Sequence, residues 1–373
     1  MTTVSERISQ SAFDGSRLRV VLLLDLYDGA QKQFLEVYEH LRSQVSSVPG
    51  HISEELCQSI ENPSQWLITS EWESASPFLA WVNSEEHVKT VQPLHGCVRD
   101  TRSLRFSVLQ EMGKAFRSLP ESAGGRLQAA PRLGDGVVRH ALTFTVRPGS
   151  EDIVAKLLAG YTSPQARVDE NTRLRRTSLF MHGNRVVRAV EVEGDLLAAL
   201  RHVAQQPEVQ ALEEAINPYL EQDRDLTDPD SARVFFTRAA LPVVHHVGAG
   251  GHEPAGIRRH ALFYPAKKGC GTALARLLAG QDEAAADDPT NPIAGSTVFQ
   301  RDDIVVRMLD MSGPLDARPA LALGIEGGHK AAVLARLLDE AKDGVLATDE
   351  DISRCLARSS MRMITDRRAP EEP

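Results

Sequence analysis

A tandem repeat constrains this chain more than any other feature. "RHALTFTVRPG", beginning at Arg139, returns as "RHALFYPAKKG" at Arg259. "KLLAGY" at Lys156 returns as "RLLAGQ" at Arg276, and "VVRAVEVEGDL" at Val186 as "VVRMLDMSGPL" at Val305. "TDPDSAR" at Thr227 returns as "TDEDISR" at Thr348. Four matches in one order, at an offset of about 120 residues, mark two copies of one folding unit. Each copy supports the order β-α-β-β-α-β, with "DLLAALRHVAQQPEVQALEEAINPYL" as the long second helical stretch of the first copy.

Residues 17 to 112 have the same rhythm without the same words. "LRVVLLLDLYD" reads as a strand. Phe34, Val37, Tyr38, Leu41 and Val45 then share one face of a helix, which Pro49-Gly50 stops. "HISEELCQSI" and "QWLITSEWE" are strands around an Asn62-Pro63-Ser64 turn. "PFLAWVNSEEHVKTV" is a second helix, with Ser76 as its cap before Pro77. "RSLRFSVLQEM" closes the unit as a strand, giving the ferredoxin-like split βαβ arrangement. The fold class is therefore α+β, three ferredoxin-like lobes of the dimeric α+β barrel kind, two of them an internal repeat. The lobes fall at residues 1–112, 137–246 and 257–368. The Gly-, Pro- and Ala-rich stretches 113–136 and 247–256 read as linkers.

A four-stranded sheet with both helices on one face leaves its other face uncovered, so it needs a partner. The two related lobes pair with each other. The first lobe is left over, which predicts a homodimer formed through it.

Composition narrows the function. A net charge of −9 argues against nucleic acid as a partner. No apolar run reaches the eighteen residues of a membrane span, and "MTTVSERISQSAFDG" lacks a signal-peptide core. The four cysteines, Cys57, Cys97, Cys270 and Cys355, form no CxxC pair, as expected of free thiols in a reducing cytoplasm. No G-x-G-x-x-G follows a strand, no HExxH occurs, and no two-His-one-carboxylate set has convincing local spacing.

Trp72-Glu73-Ser74, Phe78, Trp81, Ser84 and Pro93-Leu94 carry a resemblance to the antibiotic biosynthesis monooxygenase superfamily. "RHALTFTV", "INPYLEQDRDLTDP" and "FFTRAALPVVHH" in the second lobe resemble the SchA/CurD-like family of aromatic polyketide and spore-pigment gene clusters. The third lobe is more divergent, with "VLARLLDEAKD" where the second has "LEEAINPYLEQ". The combination looks like the fused monooxygenases of type II pathways to pentangular polyphenols. It implies oxidation of a phenolic polycyclic polyketide to a quinone with O2 as co-substrate and no flavin, haem or metal cofactor. It departs from the anthrone oxygenases of the superfamily at Ile68 and Phe78, where they carry Asn and Tyr. Val91 stands where the haem-degrading branch places its axial His.

Trp66, Ile68, Ser70 and Trp72 alternate onto one strand face, an apolar wall suited to a flat substrate and equally to a core. Trp72 takes the pocket-lining position that the resemblance implies, and Phe78 and Trp81 join the wall as candidates for substrate binding. A phenol must lose a proton before it can reduce O2, and a histidine near neutrality suits that step. His51, His87 and His95 are the candidates. His87 lies six residues after Trp81, about 240° round a continuous helix. "QPLHGCVRDTRSLRFSVL" (92–109) reads as scaffold first, with His95 at the mouth as base and Arg102 to steady a phenolate. Elsewhere, His140 and His260 recur in the Arg-His-Ala motif and suggest a shared structural role. His245-His246 read as an end-of-strand pair. Tyr161, Phe180 and Tyr219 line a second aromatic cavity or a core. The alternative function is a non-catalytic or partner-dependent module that docks with polyketide cyclases.

Overall fold

The computed structural model of the chain describes residues 7–108, 135–222, 224, 225, 228–249, 256–286, 288, 290–326, 328–339 and 346–369. It divides into two compact units, Ser11–Arg132 and Met1–Gln10 with Leu133–Pro373. The expected linker at 113–136 lies outside the described residues up to 134, and so do residues 250–255 of the second. Among the described residues, no helix is long and apolar enough to cross a membrane.

The first described element, β1 (Arg7–Ser11), joins the larger unit's sheet, although the sequence placed it in the first lobe. The smaller unit contains β2 (Leu18–Leu26), α1 (Gln31–Val45), β3 (His51–Gln58) and β4 (Gln65–Trp72). It continues with α2 (Ala75–Val82), α3 (Glu85–Val91), a 3-10 turn (Gln92–Gly96) and β5 (Val98–Ser107). Its sheet runs β3-β4-β2-β5, all antiparallel. Strand alternation sets the core. Leu18, Val20 and Leu24 stand opposite Trp72, Ser70 and Trp66, and pack on Phe34, Tyr38, Leu41 and Val45 of α1. Each such buried apolar side chain contributes about 2 kcal/mol.

The second helix of this unit is two helices. Asn83-Ser84 breaks it, Ser84 is extended, and its hydroxyl accepts the His87 backbone N–H to start α3. The capping expected of Ser76 does not occur; the N-cap of α2 is Ser74.

The larger unit repeats one course twice. The first pass is β6 (Val137–Thr145), α4 (Glu151–Gly160), β7 (Arg173–His182), β8 (Arg185–Glu193), α5 (Leu196–Ala204), α6 (Pro207–Ile216), α7 (Pro229–Ala239) and β9 (Ala240–Ala249). The second is β10 (Ile257–Pro265), α8 (Gly271–Ala285), β11 (Ile293–Arg301), β12 (Ile304–Ser312), α9 (Pro319–Leu323), α10 (Gly328–Leu337), α11 (Asp349–Ser359) and β13 (Arg362–Arg368). The single long helix expected at 195–220 is broken before Pro207, which starts α6. Val247 to Ala249, read as linker, are the end of β9.

The repeats pair by exchanging their last strands. The sheet order is β10-β12-β11-β9-β6-β8-β7-β13, with β1 on β9. β9 begins against β6, with Ala141 opposite Leu241, and then crosses to β11, with Thr297 opposite His246. β13 does the equivalent: Met361 N–H donates to Ala261 C=O (2.9 Å), and Met363 onward pairs with β7. The Leu262–Ser360 bridge closes the sheet on itself. Exchange covers the outer edges of β7 and β11, which would otherwise expose unpaired backbone groups. The barrel interior is filled by equivalent pairs: Ala141 and Ala261, Phe180 and Phe299, Val187 and Val306, Leu241 and Met361.

The repeated motifs are structural. Arg259 of the second Arg-His-Ala forks onto Asp310 (2.8 and 2.6 Å) and also meets Glu191 (2.6 Å). Arg176 forks onto Asp366 (2.8 and 2.6 Å), so the network ties both repeats together. Burial alone would raise the Asp310 carboxyl, but Arg259 holds it below its ordinary value. "TDEDISR" is a capping box: Thr348 Oγ1 accepts Asp351 N–H, and the Asp351 carboxylate accepts Thr348 N–H. Thr227, its counterpart, lies outside the described residues.

Candidate functional site

Gly50 places the first candidate group. Its φ is +84°, and a Cβ there would lie 2.7 Å from Pro77 at the start of α2. Glu73 N–H donates to its carbonyl (2.8 Å). Only glycine allows this approach, and it sets the next residue, His51, beside Trp72. Their rings lie 5.1 Å apart, edge to face at 75°. His51 Nε2 is buried and has no hydrogen-bond partner among the described residues. Desolvation lowers its pKa below the ordinary histidine value, with Glu54 opposing, so the imidazole is neutral at pH 7.

Trp72 carries the contact onward. Its ring meets Phe78 of α2 at 5.4 Å, and its Nε1–H donates to Ser70 Oγ (3.0 Å). Trp81 follows Phe78 by three residues on α2 and meets His87 edge to face at 5.2 Å. The expected 240° separation fails because the chain is not one helix between them; the break at Asn83-Ser84 turns α3 back toward Trp81. His87 Nδ1 is buried without a partner, and burial lowers its pKa to about 4.

The sequence reading missed two charged groups on this face. Glu54 stands opposite Ser70 in the β3–β4 register, and its Oε1 is buried without a partner. Burial and then Glu54 push the Tyr38 hydroxyl well above its ordinary value. Arg105 stands opposite Val20 in the β2–β5 register, with its guanidinium 5.3 Å from the centre of the Phe78 ring. Strand parity was the available signal, but it needs the register that only the fold supplies.

Other nominated residues lie apart. Arg102 pairs with Leu23, on the opposite sheet face from Trp72. The 3-10 turn holds His95 exposed, with Nδ1 against Gln92 C=O (2.9 Å). Trp66 turns to Phe34 (5.3 Å) and donates to Pro63 C=O (3.1 Å), away from His51. Ile68 lies between Leu22 and Leu56 within the same apolar core. The turn is otherwise scaffold: Arg99 donates to Leu26 C=O (3.3 Å), and Cys97 is buried. In the larger unit, His246 is buried against Thr297 Oγ1 (2.9 Å), with a pKa that burial lowers to about 3. Phe180 enters the barrel interior, while Tyr161 and Tyr219 pack on the helix side, so the three do not share one cavity.

The antibiotic biosynthesis monooxygenase family model matches residues 17–93, and the SchA/CurD like domain model matches 137–249. "Polyketide synthase CurD" from Streptomyces cyaneus is 62% identical over 372 residues, covering 99% of this chain and 100% of that protein. This chain belongs to the SchA/CurD family. "Protein SchA" from Streptomyces halstedii is 55% identical over 99% of this chain and 98% of its own length. SnoaB, a cofactor-independent oxygenase from Streptomyces nogalater, matches at 13% identity with a TM-score of 0.25, over 26% of this chain and 97% of that one. Within this SchA/CurD family member, the His51–Trp72–Phe78 contacts all lie in the monooxygenase segment.

Proposed function

We propose that the first lobe is a cofactor-independent monooxygenase that oxidises a phenolic polycyclic polyketide to a quinone. The observation that carries this reading is His51: a half-buried, neutral imidazole whose buried Nε2 has no partner among the described residues, edge-on to Trp72 in the segment that the monooxygenase family model matches. In the enol tautomer of the substrate one hydrogen of the ring CH2 has become the phenolic proton, and His51 takes it. The resulting anion gives one electron to O2, and the radical pair joins through a C–O bond at the former CH2 carbon. His51 returns its proton to the peroxide, the remaining C–H proton is lost, the O–O bond breaks, and the departing hydroxide takes up that proton to leave as water. One oxygen atom ends in the new carbonyl and one in water, and the ring CH2 supplies all four electrons. Trp72, Phe78 and Trp81 hold the planar ring and exclude water. Arg105, rather than Arg102, faces the phenolate. His87 contributes a second neutral nitrogen to the same wall.

The reading includes a homodimer through the outer face of the first lobe's sheet, where Leu23 and Phe106 are exposed. It keeps the lobe boundaries drawn from sequence for the second and third lobes, apart from the end of β9, and a cytoplasmic location. The second reading, a module that steers cyclisation with polyketide cyclases, draws support from the name of CurD.

Anaerobic titration with 1,8-dihydroxyanthrone tests the assignment. The native chain should bind it, quench tryptophan emission and develop the absorbance of its anion. His51→Gln should bind it as the neutral phenol. An anion spectrum of full strength with His51→Gln would refute His51 as the base.

A further inference from the structure

The middle lobe holds a buried cation that its own residues do not satisfy. On β8, Val187 and Ala189 enter the barrel interior, while Arg188 points to the helices and donates from Nη1 to Glu213 of α6 (3.0 Å). Arg188 Nε and Nη2 are buried and have no hydrogen-bond partner among the described residues. Glu213 does not serve them: it meets only Nη1 of Arg188, and its other oxygen accepts from Arg224 (2.5 Å). Arg224 is fixed in turn by Asn217 Oδ1 (3.2 Å) and lies 4.3 Å from the centre of the Phe235 ring. Among the described residues, two guanidinium groups meet one carboxylate in this cluster.

The repeat provides an internal control. Arg307 of β12 is the counterpart of Arg188 in "VVR", and it is fully used. It pairs with Asp282, donates from Nε to Ser296 Oγ (3.2 Å), and donates from Nη1 to Ala322 C=O (2.5 Å). Its side chain has no exposure, whereas that of Arg188 keeps 15%. The third lobe has closed this position with its own groups. The middle lobe keeps the arginine, partly exposed as a side chain, with two buried nitrogens uncommitted among the described residues. Buried guanidinium donors left without acceptors cost on the order of 1–3 kcal/mol unless an anion or water meets them.

We propose that the middle lobe carries a second small-molecule site, in which Arg188 receives the phenolate or enolate oxygen of a planar ligand. Two adjacent N–H groups of one guanidinium suit a single oxyanion or the paired oxygens of a 1,3-dicarbonyl. The surroundings suit a flat apolar body: Leu142 and Leu179 flank Arg188 across the sheet, and Tyr161 lies close enough to act on it electrostatically. The ligand class rests on the reading that the chain handles phenolic polyketides; the unpartnered donors do not.

The full chain titrated with alizarin, whose phenolate absorbs to the red of the phenol, decides the matter. All three tryptophans, Trp66, Trp72 and Trp81, lie in the first lobe, so quenching reports that lobe alone. Calorimetry should find two sites per chain. Arg188→Gln should remove one of them with its share of the phenolate band, while quenching stays as in the native chain. Arg188→Lys keeps the partner of Glu213 but not the fork. It should weaken that site by about tenfold or more, and it decides the question if the Gln variant does not fold. Two sites with unchanged affinity in either folded variant would overturn the proposal. Loss of quenching in the native chain, with an Arg188-dependent site still present, would sink the first-lobe reading and leave this one standing.

Discussion

His51 and His87 are neutral at pH 7 because burial penalises the imidazolium. The folded pKa is lowered in both, so the unfolded chain takes up protons first as pH falls. Their contribution to stability is complete above the ordinary histidine value of about 6.5. For His87 it is lost as pH falls toward about 4. Urea midpoints should therefore drop between pH 7 and 4.5, and His87→Leu should flatten that drop. For catalysis, His51→Gln should reduce kcat/KM by about a hundredfold or more. The acid limb of the native pH profile should lie below 6.5, as the lowered pKa requires. The residue types at this site were legible in the sequence. Their partners were not. Arg102 was chosen for its nearness to His95 in the chain, but cross-strand register gives the helix-facing side to Arg105.

Elements were legible where periodicity is strong and less so at their ends. The alternation of Trp66, Ile68, Ser70 and Trp72 predicted the buried face of β4 as it stands. The break between α2 and α3 was missed because Asn83-Ser84 sits inside a run of otherwise helical spacing. It matters, since it brings His87 to Trp81. Ser84→Ala should cost about 1 kcal/mol, the usual worth of a side-chain N-cap, with His87 loosened. Gly50→Ala combines a strained φ with a contact to Pro77. It should destabilise by about 1–3 kcal/mol in denaturant titration and lower activity further than its stability loss explains, because it moves His51. Strand exchange was not legible at all. Hydrophobic pattern tells a strand which face to bury, not which neighbour to take.

At the scale of the whole molecule, the repeat correctly implied that the second and third lobes pair. The buried Arg259–Asp310–Glu191 and Arg176–Asp366 network holds that pairing in register. Arg259→Met would leave Glu191 without this cation and Asp310 with only the longer contact to Arg176 (3.3 Å). It should cost about 3–5 kcal/mol by circular dichroism on urea titration. The parity of the lobes predicts two chains per particle in light scattering, and a monomer would contradict it. The central claim is that the first lobe oxidises a phenol with O2 and nothing else. Oxygen uptake by metal-stripped, flavin-free protein with 1,8-dihydroxyanthrone tests it most directly. The account predicts one O2 consumed per quinone formed, and near-complete loss with His51→Gln. Uptake that appears only on adding a cyclase or a reductant would contradict it.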